Sequence, residues 1–173
     1  MKAIAIVLAA TMAACQATTA SGPGSSQVQT TSAQAAAFAP FRTFGFRLAA
    51  EPPSPYEVSP RAFEVERRVR EMVSAELVRR GYTETGSHAD FLVRIGAGSA
   101  RVDKPQPTTT GGTENDLQSI TAGEVVVDVF DGGTSQQVWH ATAKAEIDPE
   151  RINEPGLEAA VQRMLTPFPA RRE

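Results

Sequence analysis

Apolar side chains recur along this chain in two rhythms, and the places where one gives way to the other mark out its elements. Ala62, Val65, Val69, Met72, Val73 and Leu77 follow one another mostly at three or four residues, the spacing that puts side chains on one face of a helix. Ser59 supplies a capping hydroxyl ahead of Pro60, and Gly81 a stop, so one amphipathic helix is predicted between them. Its wet side carries acid-before-base pairs four apart, Glu64 with Arg68, Glu66 with Arg70 and Glu76 with Arg80, the mark of a solvated face. Leu157, Val161, Met164, Leu165 and Phe168 repeat the helical rhythm until Pro167 and Pro169 end a second helix.

Elsewhere the period is two. Phe91, Val93 and Ile95 alternate with Leu92 and Arg94; Val125, Val127 and Val129 recur within residues 123–130; Trp139, Ala141, Ala143, Ala145 and Ile147 do the same in 138–147. Each run reads as a strand. Asp131-Gly132-Gly133 between the last two is a hairpin signal, so these strands are predicted to pair antiparallel. Phe41, Phe44 and Phe46 give a first strand, which the proline-rich stretch 51–55 closes. Two helices with one apolar stripe each and a half-buried sheet hide their surfaces by stacking. The expected fold is an α+β two-layer sandwich, a mostly antiparallel four-stranded sheet with both helices on one face, in the order β-α-β-β-β-α. Its other face then carries Arg94, Asp128, His140 and Lys144 with Leu92, Val126 and Val138 among them, a half-apolar open candidate binding surface. Residues 104–121, with Pro105, Pro107, three consecutive threonines and Gly111-Gly112, are expected to be a long mobile connection.

The amino-terminal segment follows a different grammar. Lys2 gives a positive start, residues 3–14 form an uncharged apolar run, and Ala13 and Ala14 lead into Cys15. This is the pattern of a secretion signal, and at about 12 residues the run is short of the roughly 20 needed to span a bilayer as a helix. Met12-Ala13-Ala14-Cys15 resembles the lipobox of bacterial lipoproteins, in which the cysteine thiol receives a diacylglyceryl group before cleavage. Gln16 in place of Asp resembles an outer-membrane sorting address. The expected organisation is therefore a signal peptide over 1–14, a lipid-attached Cys15 with a flexible tether to residue 37, and one α+β domain over 38–173. The tether contains only Ser, Thr, Gln, Ala, Gly and a few others, without charge, and on its own buries too little to order itself.

Charge and residue counts narrow the chemistry. The chain has 17 basic and 20 acidic residues, and loss of residues 1–14 removes Lys2 to leave 16 against 20, a net of −4. That argues against nucleic-acid binding. A single cysteine allows no internal disulfide and no thiolate cluster. The two histidines, His88 and His140, lack a second histidine at ligand spacing, and Gly-x-Ser-x-Gly is absent. Gly96-Ala97-Gly98 lacks the third glycine and lysine of a phosphate loop and reads as small residues late in a strand. Glu124, Asp128 and Asp131 lack a calcium-loop frame and read as solvated strand and turn carboxylates. Trp139 shares its predicted face with alanines, which suits a core ring. No catalytic constellation, metal site or cofactor is expected.

Phe41-Arg42-Thr43-Phe44-Gly45-Phe46, Gly81-Tyr82 ahead of Ala89-Asp90-Phe91-Leu92-Val93, Val127-Asp128 through Asp131 to Val138-Trp139, and the closing Met164-Leu165 with Phe168-Pro169 together resemble a family of bacterial lipoproteins known only as a domain of unknown function, the DUF4136 type. The resemblance spans about residues 38–169. It implies an envelope location and an α+β domain, and brings no catalytic residue. Two functional expectations follow. The first is a non-enzymatic, lipid-tethered module at the outer membrane facing the periplasm, docking on another envelope protein or on cell-wall polymer. The alternative is a carrier of a small apolar or lipid-like ligand between sheet and helices.

Overall fold

The computed structural model describes residues 27–32, 38–48, 55–86, 88–105 and 117–171. Cys15, the signal segment 1–14 and the centre of the expected mobile connection lie outside the described residues. Eight elements follow in chain order: β1 (Gln27–Ser32), β2 (Thr43–Phe46), α1 (Pro60–Arg79), β3 (Thr83–Glu84), β4 (Phe91–Pro105), β5 (Leu117–Asp131), β6 (Gln137–Glu146) and α2 (Glu154–Leu165).

The strands make one six-stranded sheet in the order β1-β6-β5-β4-β2-β3. β4, β5, β6 and β1 are antiparallel neighbours, whereas β2 runs parallel to both β3 and β4. The α+β class and the pair of helices agree with the sequence reading, but the sheet is mixed and has six strands instead of four. Parallel pairing arises because α1 carries the chain from the end of β2 back to where β3 and β4 start, as a crossover must. The additional strands are those least visible in hydropathy. β3 has two residues, and β1 lies inside the segment assigned to the tether, where Val28 is its one large apolar residue. β1 is ordered by the ladder of β6, register Gln27 with Lys144 through Ser32 with Trp139. Part of the expected mobile connection is also strand, since β4 runs to Pro105 and β5 starts at Leu117.

Helix starts follow their local chemistry. The Ser59 side chain accepts the Ala62 N–H and the Asn153 side chain that of Gly156, each with proline in the first turn. Gly81, at φ +92°, turns the chain out of α1 in a conformation that costs glycine little. The odd-numbered strand residues Phe91, Val93, Ile95, Val125, Val127, Val129, Trp139 and Ala141 join Val69, Val73 and Leu77 of α1 and Val161, Met164 and Leu165 of α2 in one apolar cluster. Both helices thus cover one sheet face. Rings fill the layer between: Phe168 lies 5.0 Å from Phe38, 5.3 Å from Trp139 and 6.1 Å from Tyr82, and Phe91 5.2 Å from Tyr82.

Candidate functional site

Strand register brings the candidate residues together on the face without helices. Thr31, His140, Asp128 and Arg94 stand in one cross-strand row over β1, β6, β5 and β4. Two rows along, Gln27, Lys144, Glu124 and Gly98 form another. Expected as open, this face is covered at its centre: Val126 and Phe130 are buried, and so are the two carboxylates, Glu124 and Asp128, each at 3% exposure. Part of the cover comes from the segment before α1. Glu57 exchanges both backbone hydrogen bonds with Ser99, at 3.0 and 3.1 Å, which sets Tyr56 beside β4.

Asp128 is the hub of the first row. Its Oδ2 accepts from Arg94 Nε at 3.2 Å and Nη2 at 2.8 Å, and its Oδ1 from Gln137 Nε2 at 2.7 Å. His140 Nδ1 lies 2.6 Å from the same Oδ1. A carboxylate that faces a guanidinium and an amide is an acceptor, so Nδ1 of the imidazole carries a proton toward it, and in the neutral ring Nε2 is left as an acceptor. The guanidinium groups of Arg94 and Arg47 lie 4.7 and 4.8 Å from the Phe130 ring centroid, a cation–π arrangement that steadies both. Lys144 does not join this hub; its Nζ pairs with Glu124 Oε1 at 3.3 Å and lies 5.4 Å from the Tyr56 ring centroid.

Of the four residues expected on this surface, Arg94, Asp128 and His140 therefore form one bonded unit, and Lys144 belongs to a second. Gln137, Phe130, Arg47 and Tyr56 were missed. Gln137 reaches the hub because of an irregularity near Val129 and Phe130 that pairs Phe130 with Gln137, and no signal in the sequence marks it. Glu124 and Asp128, read as solvated, are buried instead; their shared even parity opposite the valines was the available clue. His88 sits in an exposed turn with φ +53°. Among the described residues no group of three or more His, Cys, Asp or Glu side chains is placed to hold a metal ion, and no helix is long and apolar enough to cross a membrane.

Just ahead of β4, Asp90 ties the start of that strand to the start of β2. Its Oδ2 accepts the N–H of Arg42 at 2.7 Å and of Thr43 at 2.8 Å and the Thr43 hydroxyl at 3.0 Å. Those backbone N–H groups, Arg42 first, hold its carboxyl below the usual range against the opposing effect of burial. Asp131 is lowered likewise, chiefly by the Thr134 N–H in the β5–β6 turn.

A profile of the family described as "Domain of unknown function (DUF4136)" matches residues 28–170. The chain belongs to the DUF4136 family. The match begins within β1, so the strand hidden in the expected tether is counted in the DUF4136 domain. No curated protein sequence matches the chain. Among solved structures, the DUF4136 domain is similar to the PelC dodecamer from Paraburkholderia phytofirmans, with TM-score 0.49 and 14% identity over 86% of this chain and 99% of that one. It is also similar to a PDZ domain protein from Parabacteroides distasonis, with TM-score 0.54 and 13% identity over 84% of this chain and 36% of that one. At that identity the second likeness speaks for the fold alone.

Proposed function

We propose that this chain is an envelope lipoprotein held at the outer membrane by acyl chains on Cys15, and that its domain is a non-enzymatic docking module for another envelope component. The observation that carries the docking reading is the row Arg94–Asp128–His140. A buried carboxylate holds a guanidinium and an imidazole in fixed directions while their side chains stay 32% and 38% exposed. Polar groups ordered in advance lose less freedom on binding. The anchor reading rests on the lipobox-like residues 12–15. Twelve residue steps separate Cys15 from Gln27, a reach of at most about 40 Å, so an acylated protein would keep the start of β1 within that distance of the bilayer. The rings packed between sheet and helices give the carrier alternative no specific support.

The test is site-specific photo-crosslinking in intact cells. A photoreactive residue at Thr31, exposed beside His140 in the same row, should give one discrete adduct, whereas one at Arg67 or Glu71, exposed on α1, should give none. Equal, diffuse labelling from both faces would remove the docking reading. Separately, Cys15→Ser should abolish labelling by a fatty-acid probe and move the protein to the aqueous phase of a detergent partition; no change would remove the anchor.

A further inference from the structure

The two carboxylates that β5 turns to the helix-free face are supplied very unequally. Asp128 receives donors on both oxygens from Arg94, Gln137 and His140. Glu124, with 2% of its side chain exposed, meets one cation on one oxygen among the described residues, and its Oε2 has no hydrogen-bond partner among them. An ionised carboxylate offers about four lone-pair sites, and a buried one left short of donors is costly. Gly98, beside Glu124 on β4, brings no side chain to help. The single cation is loosely placed: the Lys144 side chain is 48% exposed, 3.3 Å from Oε1 and 5.4 Å from the Tyr56 ring centroid. A carboxylate and an aromatic ring both within reach of one ammonium group are the parts of an amine-recognition site. Here Lys144 fills it from within the chain.

We propose that Glu124 and Tyr56 form a binding site for a primary ammonium group, with Lys144 as its displaceable internal occupant. A lysine on a flexible four-carbon stem, half in solvent, gives up its place at little cost once a second ammonium group takes over the carboxylate. The incoming ammonium then takes over Oε1 and the ring and has further N–H groups for Oε2. The inference deepens the docking reading by naming the group received, and rests on it only for the choice of face; a free amine would satisfy the same site.

Butylammonium chloride is the probe, titrated into the full chain and followed by backbone amide resonances, with butanol and sodium chloride as controls. The amine alone should shift Gly98, Glu124 and Tyr56; Glu124→Gln should abolish the response and Tyr56→Leu weaken it. Lys144→Ala should bind the probe more tightly than the wild type and recover in it the thermal midpoint that the substitution loses. The double variant Glu124→Gln/Lys144→Ala should recover nothing. Equal shifts with butanol, a response that survives Glu124→Gln, or recovery in the double variant would each overturn the site. If Lys144→Ala does not fold, the wild type against Glu124→Gln decides alone. A trilysine peptide separates the two sources of the group: binding about tenfold tighter than butylammonium, or ~1.4 kcal/mol, points to a protein side chain, and equal binding to a small amine. Crosslinking from position 31 is scored independently, so loss of the docking reading and loss of the amine site give different results.

Discussion

Asp90 accepts three hydrogen bonds from residues 42 and 43, which lie 48 and 47 positions away in the chain. Nothing in its local sequence sets it apart from any polar residue that opens a strand, because the partners are assembled only when β2 lies beside β4. With its folded pKa depressed, its contribution is complete above the unfolded value of about 3.9 and is lost as the pH falls through the lower folded value. Asp131 acts in the same sense. Asp90→Asn is expected to cost about 1–3 kcal/mol near neutral pH, with the gap to the wild type closing below about pH 4; urea denaturation at a series of pH values measures it. Trp139 was legible, because the alanines flanking it on the predicted face leave space for a ring, and it is 1% exposed. Its Nε1 is buried without a hydrogen-bond partner among the described residues. Trp139→Ala should therefore cost about 3–5 kcal/mol, and Trp139→Phe clearly less, since it keeps a ring and removes the orphan donor; equal losses would contradict this account.

Elements with their own apolar periodicity were readable: both helices, and the β5–β6 hairpin. β1 was not, since a Gln-, Ser- and Thr-rich hexamer carries no strand signal until the edge of β6 supplies hydrogen-bond partners and a place for Val28. Pro105 marked a loop in the sequence, yet it ends a strand, a position where proline is tolerated. A chain starting at Phe38 lacks β1 and leaves the backbone edge of β6 unpaired. It is expected to show a lower thermal midpoint and concentration-dependent self-association, read by calorimetry and light scattering; an unchanged monomer would mean that β1 contributes nothing.

For the molecule as a whole, the two-layer plan followed from the count of faces needing burial, and the surface residues Arg94, Asp128 and His140 followed from strand parity. The covering of that surface did not, because it depends on the return of Tyr56 and Glu57 to the edge of β4 at Ser99, a contact 42 residues apart. The same architecture grades stability from the middle outward. Amide exchange should be slowest in 93–95, 127–129 and 139–141, whose odd-numbered side chains are buried in the apolar cluster, and fastest in β1 and β3 at the sheet edges. Uniform protection across all six strands would refute this ordering.

β5 presents Val125, Val127 and Val129 to the helices and Glu124 and Asp128 to the opposite side. A slip of one position against either neighbour would thrust two charges among Trp139 and Met164 and turn three valines outward. Misaligned pairings are thereby rejected at once, and the carboxylates that furnish the outer surface also act as the strand's own proofreading.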